Sequence, residues 1–309
     1  MTAAIDEAAA VLGDRARRDV PVGPLTTYRV GGAAALFMTV DSDDDLALLR
    51  AAAGATRVPV LVIGNGSNLL VADDGFDGLV VTLGDAFASV AIEGLTVTAG
   101  AAALLPVVAR RTAAAGLTGF EWAVGVPGSI GGAVRMNAGG HGSDMAATLA
   151  RVRVVDLATG DDGWMMATDL ALGYRSSAIG AADLVVAAEL VLAAGDRTRS
   201  EAEITEIVRW RRENQPGGQN AGSVFTNPSD DSAGRLIDAS GCKGLRVGSA
   251  VVSDKHANFF IADPGGRADD VHELMGVVRH RVHDEHGVWL EPETRLVGFG
   301  HNPAPEVEG

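Results

Sequence analysis

Short apolar runs separated by turns of Gly, Asn and Asp fill residues 28–84. Four of these runs have the length of buried strands, at residues 35–40, 58–63, 69–71 and 79–83. Between them, residues 45–53 carry Leu46, Leu48 and Leu49 at helical spacing. Strands interleaved with a helix predict a small α/β lobe, preceded over residues 1–20 by an Ala-rich helix with a charged end.

The same alternation resumes near Phe87. Residues 90–92 and 95–98 predict a hairpin across Glu93 and Gly94, residues 104–115 a helix, and residues 152–155 and 184–192 further strands. We interpret the charged segment 195–201 as a hinge before a helix marked by residues 204–211. A last, long amphipathic helix has one apolar stripe, formed by Val271, Leu274, Met275, Val278 and Val282.

Composition excludes several classes of protein. The 309 residues are 47% hydrophobic and 21% charged, which is typical of a globular protein with two or three domains. The single cysteine, Cys242, excludes an intramolecular disulfide and is typical of a reducing compartment. No apolar run approaches the roughly 18 residues of a membrane helix, and no signal-peptide pattern is present, so we expect a cytoplasmic protein. A net charge of −15 disfavours nucleic-acid and anionic-membrane partners.

Two glycine-rich loops indicate ligand chemistry. They read Gly64-Asn65-Gly66-Ser67-Asn68 and Pro127-Gly128-Ser129-Ile130-Gly131-Gly132. Backbone N–H groups of the first loop can converge on an anion, although a plain hairpin turn explains that loop equally well. In the second loop, Ser129 is placed to cap a helix whose N-terminus would bind phosphate. Together the loops predict a pyrophosphate-bearing cofactor lying between them. Neither matches a Rossmann or P-loop motif, which disfavours those folds.

Further motifs follow in order along residues 20–300. They are Thr27-Tyr28-Arg29-Val30-Gly31-Gly32, Met136-Asn137-Ala138-Gly139, Tyr174-Arg175-Ser176-Ser177, Gly222-Ser223-Val224-Phe225-Thr226-Asn227-Pro228, the block from Ile237 to Phe260, and Leu290-Glu291-Pro292-Glu293. With the two loops, this set resembles the UDP-N-acetylenolpyruvoylglucosamine reductase family.

The resemblance implies an α+β fold with a two-lobe FAD-binding domain of the PCMH or vanillyl-alcohol-oxidase type and a C-terminal α+β substrate-binding domain. The expected boundaries are an N-terminal helix or tail over 1–20, FAD-binding lobe 1 over 21–85, FAD-binding lobe 2 over 86–195 and the substrate-binding domain over 196–309. The implied reaction uses non-covalent FAD and NADPH to reduce UDP-N-acetylglucosamine-enolpyruvate to UDP-N-acetylmuramate. That step belongs to peptidoglycan synthesis, and so to cell-wall biogenesis, cell shape and cell division. A monomer without a metal site is favoured.

The resemblance also implies the site residues. Arg175 grips the substrate carboxylate, Ser223 protonates the enolate carbon, and Glu293 is a second polarising group, expected to be partly protonated beside that carboxylate. The residues expected to bind the cofactor are Tyr28, Gly64, Asn65, Gly66, Ser67, Asn68, Pro127, Gly128, Ser129, Gly131, Gly132 and Asn137. The residues expected to bind substrate are Tyr174, Arg175, Asn227, Lys243, Lys255, His256 and Asn258. Considered singly, Arg175, Ser223 and Glu293 are more simply turn or strand-edge residues, and only the ordered set favours catalysis.

Two departures from the family pattern matter. Ser223 follows Arg175 by 48 positions, a spacing that resembles a shorter subclass lacking an inserted loop with a substrate-contacting tyrosine. His141 stands where the family more often has a tyrosine, which puts a flavin contact by a ring at that position in doubt.

Two other functions stay open from sequence. One is a sugar or alcohol oxidase on the same FAD fold, although residues 64–68 offer no His or Cys for a covalent flavin link. The other is a non-catalytic UDP-sugar-binding protein. We interpret His272, His280, His283 and His286 as helix-flank residues rather than metal ligands, and Cys242 as a small packed thiol rather than a nucleophile.

The acidic total charge conceals one local exception. The segment from Arg235 to His256 has four cations and two carboxylates, and it contains both lysines of the chain, Lys243 and Lys255. This net charge of +2 predicts a locally positive surface for an anionic substrate.

Overall fold

The structure is a computed structural model that describes residues 2–300. Its α-helices are α1 (Thr2–Leu12), α2 (Asp43–Thr56), α3 (Leu105–Ala114), α4 (Ile130–Met136), α5 (Arg197–Asn214), α6 (Ala233–Ala239) and α7 (Ala268–His286). Its strands are β1 (Arg17–Pro21), β2 (Ala33–Val40), β3 (Val60–Val62), β4 (Leu69–Val71), β5 (Phe76–Leu83), β6 (Val90–Glu93), β7 (Thr96–Gly100), β8 (Leu117–Thr118), β9 (Gly139–Gly140), β10 (Ser143–Asp144), β11 (Leu149–Asp156), β12 (Asp162–Met166), β13 (Asp183–Val191), β14 (Ala193–Ala194), β15 (Arg246–Val247), β16 (Ala250–Val252), β17 (Phe260–Ala262) and β18 (Arg295–Val297).

The described chain divides into two compact units. Unit 1 contains residues 2–18, 35–65 and 78–213, and unit 2 contains residues 19–34, 66–77 and 214–300. The division falls inside the first glycine-rich loop, after Asn65. These units do not test the four domain boundaries expected from sequence, which stay a prediction.

The first of two cores in unit 1 lies between helices α1 and α2 and a four-stranded sheet. The sheet has the order β1-β2-β5-β3, and β3 runs parallel to β5. Ser42 begins α2 by accepting a hydrogen bond from the Asp45 N–H at 3.1 Å. Ile5, Leu46 and Leu49 are buried against the sheet, which confirms the predicted α/β pattern.

The second core of unit 1 lies against a five-stranded sheet with the order β12-β11-β13-β7-β6. Its pairings are antiparallel, and β6 and β7 form the predicted hairpin. Helices α3 and α4 contribute buried side chains to this core, and α5 adds Ile204 and Ile207. Both predicted helices, 104–115 and 204–211, are therefore present.

Unit 2 is built around the long helix α7. The five predicted stripe residues of α7 are all fully buried, in one core with α6 and the antiparallel sheet β15-β16-β17. Strand β4 pairs in parallel with β18, so Leu69 lies opposite Arg295. This pairing brings the residues after the first glycine-rich loop beside the Glu293 segment.

Two sequence predictions about elements are wrong. The expected hinge at 195–201 is mostly the first turn of α5, where Arg197 pairs with Glu201 at 2.7 Å and Ser200 is buried. The leading helix ends at Leu12, and the charged residues Arg17, Arg18 and Asp19 belong to strand β1. Among residues 2–300, no helix is both long enough and apolar enough to cross a membrane.

Candidate active site

A cavity of about 230 Å³ lies in unit 1. It is lined by Val62, Ile63, Gly64, Asn65, Leu83, Ala101, Ala102, Leu104, Ser129, Gly131, Gly132, Arg135, Ile179, Asp183 and Val185. Most of these residues are small or apolar, while a few backbone and side-chain polar groups converge among them. Such a lining is typical of a cofactor site.

Two predicted loops meet at this cavity. The Asn65 Nδ2 atom donates to the Pro127 carbonyl at 2.7 Å, so the first loop is tied to the second. A Cβ at Gly64 would lie 2.4 Å from Ser129 Oγ, and one at Gly131 would lie 3.0 Å from the Ala101 Cβ. These two glycines therefore let the backbone close tightly around the cavity.

Ser129 is the most informative polar residue of the cavity. It holds the N-cap position of α4 in an extended conformation, but its side chain makes no capping hydrogen bond, so that part of the prediction is wrong. Its Oγ atom is buried and has no hydrogen-bond partner among the described residues. A buried hydroxyl without a partner costs free energy unless a ligand supplies one. The site therefore fits a cofactor with polar oxygens.

The predicted phosphate site at the start of α4 needs correction. The N–H groups of Ile130 and Gly131 donate to the Ala103 and Ala101 carbonyls, both at 2.9 Å. Because the Ala133 N–H already donates to the Ser129 carbonyl at 2.9 Å, the Gly132 N–H is, among the described residues, the one first-turn donor left for a ligand. Arg135, one turn further along α4, also lines the cavity and was not predicted. It follows Gly132 by three positions, so it lies on the same helix face, and this spacing could have identified it from the sequence.

Two residues expected to bind the cofactor have other roles. Tyr28 is fully buried in the core of unit 2, so its ring presents no surface to a ligand, and burial raises the pKa of its phenol. The Asn137 amide donates to Asp144 at 3.2 Å and to the Gly173 carbonyl at 2.9 Å, and it accepts from Ala146 N–H at 2.9 Å. Its hydrogen bonds hold the protein's own loops, and the cofactor-binding roles expected of Tyr28 and Asn137 stay predictions.

The rest of the first loop, residues 66–68, belongs to unit 2. The Gly66 carbonyl accepts from the Thr27 N–H at 3.1 Å, and a Cβ at Gly66 would lie 2.1 Å from the Leu25 carbonyl oxygen. The Asn68 amide donates to the Glu293 carbonyl at 3.0 Å. Close packing against Leu25 therefore explains the glycine at position 66. Asn68 supports the backbone at Glu293. Ser67 lies half-buried in the turn between Gly66 and Asn68.

Arg175 lies at the tip of a tight turn in unit 1. Reciprocal hydrogen bonds of 3.0 and 3.2 Å between Gly173 and Ser176 close the turn, which places Tyr174 and Arg175 at its two central positions. Arg175 has a φ of 54°, its guanidinium donates to the Gly139 carbonyl at 3.1 Å, and it lies 5.1 Å from the Tyr174 ring centroid. A strained conformation held by these contacts fixes where the cation points.

Ser223 and Glu293 lie on neighbouring segments of unit 2. Ser223 bridges to Phe259, and the Glu293 N–H donates to the carbonyl of Val224, the residue after Ser223, at 2.8 Å. A second bridge joins Phe225 to Pro292. The structure therefore brings together the two unit 2 residues that the family resemblance selected.

The residues expected to bind substrate are partly engaged within the protein. Asn227 Oδ1 accepts from the first N–H of α6 at 3.1 Å, and His256 Nδ1 accepts from the Asn258 N–H at 3.2 Å. Burial, and to a lesser degree Lys243, lowers the pKa of His256. Lys255 interacts with other residues of the protein. Asn258 is buried, and its side-chain amide is bound to the Phe225 backbone. The Asn258 amide is thus engaged with the protein backbone, and its expected role in substrate binding stays a prediction.

The positive segment predicted from sequence is neutralised by pairing. Lys243 pairs with Asp238 at 2.7 Å and Arg246 with Asp263 at 2.6 Å, while Arg235 pairs with Asp231. Asp231 and Asp263 lie outside the segment from which the charge was counted. The local charge of +2 is thus a property of the sequence window rather than of the folded surface.

Of the residues set aside from chemistry, Cys242 is buried and His272 and His283 are half-buried, whereas His280 and His286 are exposed. The His272 ring stacks on Phe299 with centroids 4.3 Å apart, and the His283 ring stacks on Trp289 at 4.0 Å. Within residues 2–300 no group of His, Cys, Asp or Glu side chains is arranged to hold a metal. Cys242 is fully buried and burial raises the pKa of its thiol, which confirms the packed thiol. His141 meets the Trp210 ring edge-on at 5.1 Å.

Comparison with known families defines the class of protein. Residues 34–161 match a family described as FAD binding domain, and these residues contain Gly64, Ser129 and Arg135 of the cavity. With the α+β fold and the glycine-lined cavity, this match makes the chain an FAD-dependent flavoprotein of the two-lobe type expected from sequence.

The relatives give the particular family. Residues 214–297 match the family described as UDP-N-acetylenolpyruvoylglucosamine reductase, C-terminal domain. The curated reductase of Paramagnetospirillum magneticum is 43% identical over 91% of this chain and 91% of its own length, and that of Acidiphilium cryptum is 43% identical with the same coverage. The solved reductase from Thermus caldophilus has a TM-score of 0.80 and 38% identity, covering 92% of this chain and 99% of that one. The chain belongs to the UDP-N-acetylenolpyruvoylglucosamine reductase family.

Membership confirms the family resemblance, the fold class, the FAD cofactor and the assignment as an oxidoreductase. It favours the reductase over the oxidase and over the non-catalytic sugar-binding protein.

Proposed function

We propose that this protein uses NADPH to reduce the enolpyruvyl group of UDP-N-acetylglucosamine-enolpyruvate, giving UDP-N-acetylmuramate. FAD bound at the cavity that contains Gly64, Ser129 and Gly132 would supply hydride transfer from NADPH, with a new C–H bond forming at the vinyl carbon distal to the substrate carboxylate. As that bond forms, the carbon–carbon double bond opens and an enolate develops next to the carboxylate. The remaining steps require this chain's own residues to stabilise the charge and to supply one proton.

Arg175 is the proposed partner of the substrate carboxylate. A guanidinium is always charged and can donate two parallel hydrogen bonds to a carboxylate, so it stabilises the negative charge that grows during hydride transfer. The tight turn and the Gly139 carbonyl hold this cation in place before substrate arrives. Preorganisation of this kind stabilises a transition state more than a mobile surface arginine would.

Ser223 is the proposed proton donor, and Glu293 is the proposed second polarising group. The Ser223 hydroxyl gives its proton to the enolate carbon and is reprotonated from water. Glu293, partly protonated beside the substrate carboxylate, donates a hydrogen bond to the same developing charge. The observation that supports this pairing is the 2.8 Å hydrogen bond from Glu293 N–H to the carbonyl that follows Ser223. It ties the backbone of Glu293 to the residue that follows Ser223.

An anaerobic experiment in two steps tests the proposal. We expect the yellow, FAD-loaded protein to bleach on addition of NADPH and to regain its colour when UDP-N-acetylglucosamine-enolpyruvate is added. Ser223→Ala should bleach at nearly the wild-type rate but recolour about 100- to 10,000-fold more slowly, which is the range for loss of a general acid.

Two results would reject parts of this function. A wild-type protein that bleaches but is not recoloured by the enolpyruvyl substrate would reject the reaction itself. Equal slowing of bleaching and recolouring in Ser223→Ala would reject the proton-donor role while leaving the reaction intact. Addition of UDP-N-acetylmuramate in place of the substrate is the matched control and should give no recolouring.

The wider role follows from the product. UDP-N-acetylmuramate is a peptidoglycan precursor, so loss of this activity would stop cell-wall synthesis and thereby affect cell shape and division. We place the reaction in the cytoplasm and expect a monomer, in line with the sequence. The mass of the FAD-loaded protein in solution tests the second point.

A further inference from the structure

Asn258 grips the chain segment that carries Ser223. Its side chain is buried, with 3% of the residue exposed. Its Oδ1 atom accepts from the Phe225 N–H at 3.0 Å, and its Nδ2 atom donates to the Phe225 carbonyl at 2.8 Å. Its own backbone carbonyl accepts from the Val224 N–H at 2.9 Å. Three hydrogen bonds thus run from one residue to the two residues after Ser223.

These bonds replace a missing strand partner. The segment around Ser223 is held by isolated bridges to Phe259 and Pro292 rather than by a continuous ladder. A primary amide carries N–H donors and an acceptor oxygen in one plane, so the Asn258 side chain can give Phe225 the acceptor and the donor that a neighbouring strand would give it. Because both polar groups of Phe225 are bonded, rotation of the backbone after Ser223 is restricted.

Asn258 is itself held from its other side. Its N–H donates to His256 Nδ1 at 3.2 Å, and the adjacent Phe259 carbonyl accepts from the Ser253 N–H at 2.9 Å. The next residue, Phe260, begins strand β17 in the core of unit 2. The grip on Phe225 is therefore connected to the rigid part of this unit rather than to a loose loop.

We propose that Asn258 is a positioning residue for Ser223, which it serves by fixing the Val224–Phe225 backbone. This inference rests on the proposed function, since it assumes that Ser223 protonates the substrate. A role in substrate binding, as expected from sequence, is disfavoured because both amide atoms are bound to Phe225. A hydroxyl displaced by about 1 Å loses much of its catalytic effect. Loss of the Asn258 hydrogen bonds to Phe225 should therefore slow proton transfer from Ser223 and leave the other steps unchanged.

The test measures half-reactions of FAD-loaded Asn258→Ala. Recolouring of the reduced protein at saturating enolpyruvyl substrate should slow by about 10- to 100-fold. Bleaching by NADPH, and the dissociation constant of the substrate from the oxidised protein, should each change by less than about 2-fold, because they do not depend on Ser223. Ser240→Ala is the matched control, since it removes another buried hydrogen bond of unit 2, from Ser240 Oγ to the Leu236 carbonyl at 2.9 Å. It should leave recolouring unchanged.

A double variant separates positioning from a general loss of structure. If Asn258 acts through Ser223, adding Asn258→Ala to Ser223→Ala should slow recolouring by less than about 3-fold further, because the group being positioned is already absent. A full additional 10- to 100-fold loss would overturn the proposal, as would weaker substrate binding with an unchanged saturated rate.

Amide hydrogen exchange provides a readout that does not depend on the reaction. In Asn258→Ala the Phe225 amide should exchange at least about 10-fold faster than in the wild type, because its acceptor is gone, while amides of α7 should not change. An unchanged exchange rate of the Phe225 amide would show that the Asn258 side chain does not hold the Phe225 backbone. If the wild-type protein is not recoloured by substrate, the proposed function fails, and the exchange result still decides whether Asn258 holds this segment.

Discussion

At the scale of single residues, Gly64 shows how the absence of a side chain shapes the cofactor cavity. A Cβ at this position would lie 2.4 Å from Ser129 Oγ, so the serine side chain would have to rotate. That rotation would redirect the one buried hydroxyl that has no protein partner and lines the cavity. The glycine therefore preserves both the space and the orientation of a donor.

We predict that Gly64→Ala weakens FAD binding by about 10-fold or more, because one hydrogen bond to a buried group contributes about 1–3 kcal/mol. Titration of the FAD-free protein with FAD, followed by flavin fluorescence, measures the change. The control is Gly54→Ala within α2, where a Cβ meets nothing within 4 Å and alanine favours the helix. Equal affinities of Gly64→Ala and Gly54→Ala for FAD would contradict the prediction.

The two glycine-rich loops could be identified from the sequence, but the hydrogen bonds that their polar groups make could not. Gly64, Asn65, Ser129 and Gly132 could be selected because glycine-rich loops bind anions, and the structure places them together. The actual hydrogen bonds could not be predicted, because they depend on which distant chain segments arrive nearby. Asn258 is the clearest case, since its partner Phe225 is 33 positions away.

At the scale of elements, helix α7 combines an apolar stripe with one buried cation. Arg279 is 1% exposed, and its Nε atom donates to the Leu290 carbonyl at 2.7 Å. Its guanidinium also lies 5.6 Å from the Trp289 ring centroid. Leu290 begins the segment that leads to Glu293, so this helix supports one border of the proposed active site.

We predict that Arg279→Met, which keeps most of the side-chain length, lowers the free energy of unfolding by about 1–3 kcal/mol, because it leaves the buried Leu290 carbonyl unpaired. Chemical denaturation followed by tryptophan fluorescence measures this loss. Arg209→Met on α5 is the control, since it removes only an exposed ion pair with Glu206 and should change stability by less than about 1 kcal/mol. Similar losses in both variants would argue against the anchoring role.

Elements with a regular apolar pattern were predictable, and those defined by charge were not. The α7 stripe was correct because five valine, leucine and methionine residues at helical spacing have one way to be buried. The segment 195–201 was wrong because its charged side chains satisfy each other along a helix surface, as Arg197 and Glu201 do. Charge density indicates exposure, but it does not distinguish a linker from the outer face of a helix.

At the scale of the whole molecule, buried titratable groups limit the pH range of stability. Burial raises the pKa of Cys242 above its usual 9.0, and it also raises the pKa of Tyr28. The unfolded chain therefore releases these protons first, and stability falls as the pH rises above about 9. Burial lowers the pKa values of His256 and His272 below the usual 6.5, so the unfolded chain binds protons first on the acid side. Maximum stability is expected between these limits.

His272 allows the acid limit to be tested with one substitution. Its Nε2 atom is buried without a hydrogen-bond partner among the described residues, and its ring stacks on Phe299, while Asp269 only partly opposes the effect of burial on its pKa. Because the pKa of this ring is lowered in the folded state, the unfolded chain takes up this proton at a higher pH than the folded protein does, so stability falls as the pH drops below 6.5. We predict that His272→Phe, which keeps the stacking and removes the titration, loses less stability than the wild type between pH 7.5 and about 5.5. Urea denaturation at both pH values measures the difference within each protein, so any uniform effect of the substitution cancels. Equal losses in the two proteins would show that His272 does not contribute to the acid limit.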